Sequence, residues 1–482
     1  MKPSSSKVFS NLIWRLAERC GAHLVSFVVS IVLARMLAPE VYGTVALITV
    51  FTTILQVFVD SGLGNALIQK KDADALDFST VFYANVCFCG VLYIVFFLCA
   101  PFIAGFYEDA FLTPLIRVLG ITIVVSGVKN IQQAYVSRNM MFKKFFFSTL
   151  GGTIAAAVAG IALAMAGYGA WALVAQQVIN VTVDTVILWI TVRWRPQRTF
   201  SIKRLKSLFS YGWKLLVSSL LDIGYNNIRQ LILGKMYSAS DLAYYNRGRQ
   251  FPNFIVTNVN SAIDSVLFPA MASVQDNRQS VKQMTRKSIK VSVYIMAPLM
   301  MGLAFAAEPV VRFILTDKWL ECVPYLRIFC ITFMFYPIHT ANLNAIKAMG
   351  RSDLFLKLEV MKKCVGSILL LSTMWFGPMA MAYSLLLSSV LCQIINTWPN
   401  RKLLEYGYLE QLKDILPAIF LSVGMGSAVW LISLTGLPQM AVLSIQVVLG
   451  AVIYLAGSMV FRIDSFVYLM DILKSFHGIR HK

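Results

Sequence analysis

The chain has 482 residues, of which 58% are hydrophobic and 14% are charged, and its formal net charge is +20. Because about a quarter of the residues in typical soluble domains are charged, this composition excludes an ordinary soluble protein and indicates a polytopic membrane protein. The eight cysteines lack C-x-x-C spacing and lie mostly in apolar segments, so we expect no disulfide framework, no metal site and no cofactor.

The apolar segments predict the fold class. A helix that crosses about 30 Å of hydrocarbon needs about 20 residues, and about fourteen segments qualify. They are 10–34, 41–59, 79–99, 113–134, 146–166, 169–192, 212–234, 251–272, 291–314, 324–346, 361–376, 379–398, 415–434 and 440–461. We therefore predict an all-α polytopic membrane protein with about 14 transmembrane helices. The short connections "GYGA" (167–170) and "FGP" (376–378) predict tight turns.

The distribution of basic residues predicts the orientation. With a cytoplasmic N-terminus, the two tails and the even-numbered loops hold about thirty lysines and arginines, whereas the odd-numbered loops hold about five. This asymmetry follows the positive-inside rule and places both termini in the cytoplasm. The net charge is then explained by topology, and no nucleic-acid partner is expected.

Two pairs of similar segments indicate an internal duplication. The "WR" pair at 14–15 matches the "WK" pair at 213–214, and "RNMMFK" (138–143) matches "RSDLFLK" (351–357). Both pairs are displaced by six spans, which predicts two pseudo-symmetric six-helix bundles related by an axis along the membrane normal. The predicted domains are 1–206, 207–400 and 401–482, the last being an extra transmembrane helix pair with a cytoplasmic tail.

A polar stripe on the first span recurs at the same offsets on the seventh, when residues are placed at about 100° intervals around each helix. The substrate-binding residues predicted from the two stripes are Arg15, Arg19, His23, Lys214, Asp222 and Arg229. A charged side chain at mid-bilayer costs roughly 2.5–3.5 kcal/mol, so we interpret the stripes as facing a shared hydrated central cleft. For Arg15 and Lys214, an anchoring role at the membrane interface is an equal alternative.

The stripes are mostly cationic, which favours an anionic substrate. Arginine binds phosphate oxygens through two N–H groups, and lysine supplies a point charge. A molecule with a phosphate-bearing head and a long apolar tail fits this chemistry, since its tail can stay in lipid. Structural packing is the alternative to a proton relay for His23. Asp184 and Asp264 are candidate sites for a coupling ion, with a hydrogen-bonded structural role as the alternative.

Three segments carry a family resemblance: "LAPEVYGTVALITVF", "VDSGLGNALIQKKD" and "VLFPAMASVQDN". In a frame of about fourteen spans, they are similar to the polysaccharide (Wzx-type) flippases of the multidrug/oligosaccharidyl-lipid/polysaccharide exporter superfamily. The resemblance implies alternating access and a cationic central cavity in a bacterial cytoplasmic membrane. It implies that undecaprenyl-diphosphate-linked oligosaccharide repeat units move from the inner to the outer leaflet for capsule, O-antigen or exopolysaccharide export. A coupling ion (Na+ or H+) and contacts with the polymerase machinery are further expectations.

Three other functions stay open at this point. The first is an ion-coupled small-molecule or multidrug antiporter of the same superfamily, although export of organic cations calls for carboxylates where these stripes carry bases. The second is a membrane polymerase or ligase, but the longest outward loop, 235–250, has no nucleophile triad or metal motif. The third is a scaffold within a polysaccharide assembly. We expect a transporter and no enzyme.

Overall fold

The computed structural model describes the backbone of residues 5–60, 62–70 and 72–479 and most of their side chains. Side chains lie outside the described part at residues 5–13, 15–20, 211, 262, 265–266, 472–473 and 475–479. The side chains of Arg15 and Arg19, both predicted to bind substrate, therefore lie outside the described residues.

Every regular element in this described part is a helix, which confirms the all-α prediction. In chain order the α-helices are α1 (Ser5–Met36), α2 (Pro39–Asp60), α3 (Leu63–Gln69), α4 (Ala75–Phe106), α5 (Leu112–Arg138), α6 (Phe142–Met165), α7 (Ala170–Thr191), α8 (Ile202–Met236), α9 (Ala239–Ala272), α10 (Arg278–Phe305), α11 (Ala307–Ile314), α12 (Val323–Met334), α13 (Tyr336–Ala348), α14 (Ser352–Thr373), α15 (Pro378–Leu403), α16 (Tyr408–Ile432), α17 (Gln439–Val460) and α18 (Asp464–Ile479). A short 3-10 helix, Asp317–Cys322, precedes α12.

Ten helical segments among the described residues are long and apolar enough to cross a membrane. They are Pro39–Gln69, α4, α5, α6, α7, α10, Asp317–Ala348, α15, α16 and α17. Helices α8, α9 and α14 coincide with predicted spans but are not among these ten, and α1 contributes the shorter apolar segment Gly21–Met36. The chain is thus a multi-pass membrane protein, and the number fourteen stays a prediction.

Two predicted spans, 291–314 and 324–346, each contain a break between two helices, whereas the sequence predicts one continuous helix for each. The segment 291–314 ends one helix at Phe305 and begins another at Ala307, and 324–346 changes helix at Phe335. Pro337 stands in the first turn of α13, where a missing backbone N–H is tolerated. In the interior of a helix that continued from α12, the same proline would remove a backbone hydrogen bond. The predicted tight turns are confirmed, since Gly167, Gly169 and Gly377 all adopt positive φ values.

The first compact unit extends to Ala243. Within it, α1 packs on α6, α4 on α5, and α2 on α5, α7 and α8. Trp14 of α1 contacts the Phe146 ring of α6 edge-on at 5.3 Å. Packing therefore groups α8 with the helices that precede it. The predicted domain limits at 206 and 400 rest on sequence duplication, a different criterion, and they stay a prediction.

The second compact unit begins at Tyr244 and holds a buried amide network. Asn342 Oδ1 accepts hydrogen bonds from Gln411 Nε2 (3.0 Å) and Asn400 Nδ2 (2.7 Å), and Asn342 Nδ2 donates to Gln411 Oε1 (2.9 Å). All three side chains are almost completely buried. Because buried amides are costly unless they are paired, this network fastens α13, α15 and α16 to one another.

A close backbone contact in the first unit requires a glycine. The start of α2 approaches the start of α9 so closely that a Cβ atom at Gly43 would lie 1.7 Å from the carbonyl oxygen of Ala239. Beside it, the Ser240 hydroxyl donates to Glu40 Oε1 at 2.8 Å. The first turns of α2 and α9 therefore touch each other directly.

We expect Gly43→Ala to lower the free energy of unfolding by about 1–3 kcal/mol, because backbone atoms must separate to admit the methyl group. Thermal unfolding of the purified protein in detergent measures the effect. Gly90→Ala is the matched control, since a Cβ atom there meets nothing within 4 Å. Equal stability of the two variants would contradict the close contact.

Candidate functional site

Three helices of the first unit carry polar stripes. At about 100° per residue, each stripe occupies an arc of about 100° on an otherwise apolar helix. The stripes are Thr49, Thr52, Thr53, Gln56 and Asp60 on α2; Thr122, Ser126, Lys129, Asn130 and Gln133 on α5; and Gln176, Gln177, Asn180 and Asp184 on α7. Helix α2 packs against both α5 and α7, and α5 packs against α7, which brings the stripes together.

Two neighbouring cavities lie along these stripes. The first, of about 360 Å³, is lined by Tyr42, Val45, Ala46, Thr49, Val50, Thr53, Leu173, Gln176, Gln177, Asn227 and Gln230. The second, of about 320 Å³, is lined by Thr49, Thr52, Thr53, Gln56, Val57, Asp60, Thr122, Ser126, Gln177, Asn180, Val181 and Ile223. They share Thr49, Thr53 and Gln177, and we call the two together the N-terminal polar cavity. Helix α8 provides part of its wall through Ile223, Asn227 and Gln230.

Hydrogen bonds between helices hold the cavity wall. Gln177 Nε2 donates to Thr49 Oγ1 at 3.3 Å, which links α7 to α2. Asn130 Nδ2 donates to the Val59 carbonyl oxygen at 2.9 Å and to Asp60 Oδ1 at 3.2 Å, which links α5 to α2. Hydroxyl and amide groups can both donate and accept, so the cavity offers neutral hydrogen-bonding groups of both kinds.

One ion pair joins α5 to α7 next to the cavity. Lys129 Nζ lies 3.1 Å from Asp184 Oδ2, and the two side chains are 16% and 9% exposed. The other carboxylate oxygen, Asp184 Oδ1, is buried and has no hydrogen-bond partner among the described residues. A buried pair compensates its desolvation only while both partners remain. The pair therefore neutralises two charges that neither helix could bury alone.

Ionic contacts fasten α8 at both ends to the helices before it. At its N-terminal end, Arg204 Nη1 lies 2.7 Å from Asp74 Oδ2 and 3.1 Å from Oδ1 of the fully buried Asp77. At its C-terminal end, Lys235 Nζ lies 2.9 Å from Glu108 Oε1, and this ammonium group holds the pKa of Glu108 below its ordinary value. Helix α8 is thus held on the first unit at both ends, with the polar cavity between them.

The structure describes four of the six predicted substrate-binding side chains. His23, Lys214 and Asp222 are exposed, whereas Arg229 is only 8% exposed. Asn226 Nδ2 donates to Asp222 Oδ2 at 3.3 Å, so this carboxylate is engaged within α8 itself. The six assignments stay predictions. None of the four described side chains lines the N-terminal polar cavity.

Sequence reasoning named Asp184 but missed the hydroxyl stripe of α2. The signal was present in "TVFTTILQVFVD" (49–60), where the polar residues recur every three or four positions. The described part of the chain holds no group of three or more His, Cys, Asp or Glu side chains placed to bind a metal ion.

The sequence matches one family and several named relatives. The family model described as "Polysaccharide biosynthesis protein" matches residues 32–324. Teichuronic acid biosynthesis protein TuaB of Bacillus subtilis is 25% identical over 417 residues, which cover 84% of this chain and 85% of TuaB. Lipopolysaccharide biosynthesis protein WzxC of Escherichia coli is 25% identical over 373 residues, which cover 76% of this chain and 74% of WzxC.

Solved structures share the fold. Lipid II flippase MurJ, in an inward closed conformation, superposes with a TM-score of 0.76 at 14% identity, over 94% of this chain and 99% of MurJ. An inward-facing multidrug resistance transporter of the MATE family superposes with a TM-score of 0.63 at 13% identity, over 79% of this chain and 94% of the transporter. Similarity at this level of identity concerns the fold.

We expect Lys129→Met or Asp184→Leu alone to destabilise the protein by about 3–5 kcal/mol, because each leaves a buried charge without its partner. The double variant should recover most of this loss, since it removes both charges together. Thermal unfolding of the four proteins in detergent measures the coupling. Additive losses in the double variant would contradict the ion pair.

Proposed function

The chain belongs to the polysaccharide biosynthesis protein family, and on this premise we propose that it moves undecaprenyl-diphosphate-linked oligosaccharide repeat units from the inner to the outer leaflet of a bacterial cytoplasmic membrane. The family match over residues 32–324 carries the proposal. The resemblance to polysaccharide flippases is confirmed by that match and by relatives named for teichuronic acid and lipopolysaccharide biosynthesis. The chain is a multi-pass transporter of polysaccharide biosynthesis and not an enzyme.

The substrate head is proposed to bind through the stripes of α1 and α8. A diphosphate carries its negative charge on oxygen atoms that arginine and lysine can bind directly. Lys214 is exposed on α8, and Arg229 is almost fully buried farther along the same helix. Ionisable residues within membrane helices commonly face a protein interior or a hydrated cavity and mark substrate pathways, and the position of Arg229 supports such a role. We assign Arg15, Arg19 and His23 of α1 to the same task.

The sugars are proposed to use the N-terminal polar cavity. Its threonine hydroxyls and glutamine and asparagine amides match sugar hydroxyl groups, which also donate and accept hydrogen bonds. The Lys129–Asp184 pair beside it is internally neutral, so it neither repels nor traps the anionic head. The diphosphate and the oligosaccharide are thus proposed to bind at two separate sites.

The energy source belongs to the same proposal. Alternating access driven by Na+ or H+ needs a carboxylate that can exchange its cation. Lys129 already neutralises Asp184, whereas Asp264 is exposed and accepts a hydrogen bond from Asn344 Nδ2 at 2.7 Å. We therefore favour Asp264 as the coupling carboxylate. Both termini are assigned to the cytoplasm by the positive-inside rule.

We expect Lys214→Gln and Arg229→Gln each to lower the flipping rate roughly 10- to 100-fold, the value of one charged hydrogen bond. The assay is reconstitution in vesicles with labelled lipid-linked oligosaccharide, followed by enzymatic detection in the outer leaflet. Arg229→Lys, which keeps the charge, should retain more activity than Arg229→Gln. Because Arg229 is buried, monodispersity is checked for each variant, and exposed Lys214 provides the test that does not depend on folding.

Wild-type flipping in the well-folded Lys214→Gln and Arg229→Gln variants would contradict the cationic site. Efflux of organic cations by the wild-type protein, with no movement of the lipid-linked substrate, would support the antiporter alternative instead.

We expect Thr49→Val to lower the flipping rate by roughly tenfold, because it removes one of the two hydroxyl groups that both cavities share. The variant keeps the side-chain shape and the helix. Thr44→Val is the matched control, since Thr44 lies on α2 outside the cavity lining. A lipid-linked phosphate that carries no sugar should be flipped equally by both variants, which separates sugar binding from head binding.

A further inference from the structure

A large amphiphilic cavity lies in the second unit, apart from every residue assigned above. Its volume is about 830 Å³. Its walls come from α10, α16, α17 and α18 and the turn between α17 and α18. The lining residues are Lys290, Lys413, Asp414, Pro417, Ala418, Phe420, Leu421, Gly424, Met425, Ile453, Phe461, Arg462, Ile463, Asp464 and Ser465. The charged residues come from α10 (Lys290), from the first two turns of α16 (Lys413 and Asp414), from the turn after α17 (Arg462) and from the first turn of α18 (Asp464).

The apolar part of the cavity has room for a hydrocarbon chain. Phe420 and Phe461 are 68% and 73% exposed although both are large and apolar. One turn after Phe420 on α16, a Cβ atom at Gly424 would meet nothing within 4 Å. An open strip along Leu421 and Gly424 therefore continues from the charged end into the region that lipid surrounds.

The charged end keeps an excess of positive charge. Arg286 and Lys290 are neutralised in a network with Asp414, Glu410 and Asp464, at distances of 2.7 to 3.3 Å. In contrast, no carboxylate of the described residues pairs with the exposed side chains of Lys413 and Arg462. These two cations line the cavity mouth and are available to an external anion.

The backbone conformation at Arg462 also supports a role of this side chain in anion binding. Its φ angle is +46°, the left-handed region that ends many helices and favours glycine or asparagine. The N–H of the next residue, Ile463, donates to the Ser458 carbonyl oxygen at 3.1 Å and closes α17. An arginine held in this unfavourable conformation points to a function for its side chain.

We propose that this cavity binds an anionic glycerophospholipid of the leaflet that faces the basic loops. The phosphate lies between Lys413 and Arg462, and one acyl chain follows the strip past Gly424. Basic pockets between transmembrane helices on the cytoplasmic side recognise anionic headgroups in this way. A zwitterionic lipid lacks the net charge, and a free phosphate lacks the chain. The bound lipid would hold α16, α17 and α18 together, independently of the transported substrate.

The test measures thermal stabilisation of the full-length protein in detergent on titration with phosphatidylglycerol. Phosphatidylglycerol should raise the unfolding temperature saturably, whereas phosphatidylcholine and glycerol 3-phosphate should not. In the double variant Lys413→Gln/Arg462→Asn, we expect roughly 30-fold weaker apparent affinity, because each basic residue beside an anionic headgroup contributes about fivefold. Asparagine suits the left-handed position, so the variant should be at least as stable as wild type without lipid.

Two further variants keep the outcome decisive. Gly424→Leu fills the acyl strip without touching the charges and should also abolish the stabilisation. Arg193→Gln/Arg198→Gln removes two exposed cations elsewhere and should respond as wild type does. Equal stabilisation of wild type and the Lys413/Arg462 variant would overturn the proposal. So would an equal effect of glycerol 3-phosphate, or a response restricted to undecaprenyl phosphate, which would assign the cavity to the transported lipid.

Discussion

The free-energy cost of exposing polar side chains to lipid determines how the helices of the first unit pack. Helices α2, α5 and α7 each carry a polar stripe that could not face lipid without a large penalty. The stripes face one another instead, and Lys129 and Asp184 neutralise each other across α5 and α7. The cavity left between them is hydrophilic but has few free charges. A hydrophilic space between three apolar helices is the direct consequence of this packing.

Helix α8 is polar on two sides. Asn227 and Gln230 line the N-terminal polar cavity, whereas Lys214 and Asp222 lie on the other side, with exposed side chains. This double polarity explains why α8 is not among the segments apolar enough to span a membrane by composition alone. The ionic contacts at its ends fix its position along the unit.

The two units accommodate their buried polar side chains differently. In the second unit, Asn342, Asn400 and Gln411 bind one another in a buried network, which restrains the three helices that carry them. In the first unit, the polar side chains leave room between them. A membrane transporter needs both properties, since a substrate must find space while the surrounding helices keep their register.

The sequence by itself determined the fold class, the tight turns and the family, because hydrophobicity, glycine positions and short motifs are local properties of the chain. It also named Asp184 on α7. Only the tertiary structure decided that α12 and α13 break at Phe335, that Lys129 meets Asp184 across 55 positions, and that α8 packs with the preceding helices. These facts depend on which helix faces meet, and a periodic pattern within one helix does not contain its partner.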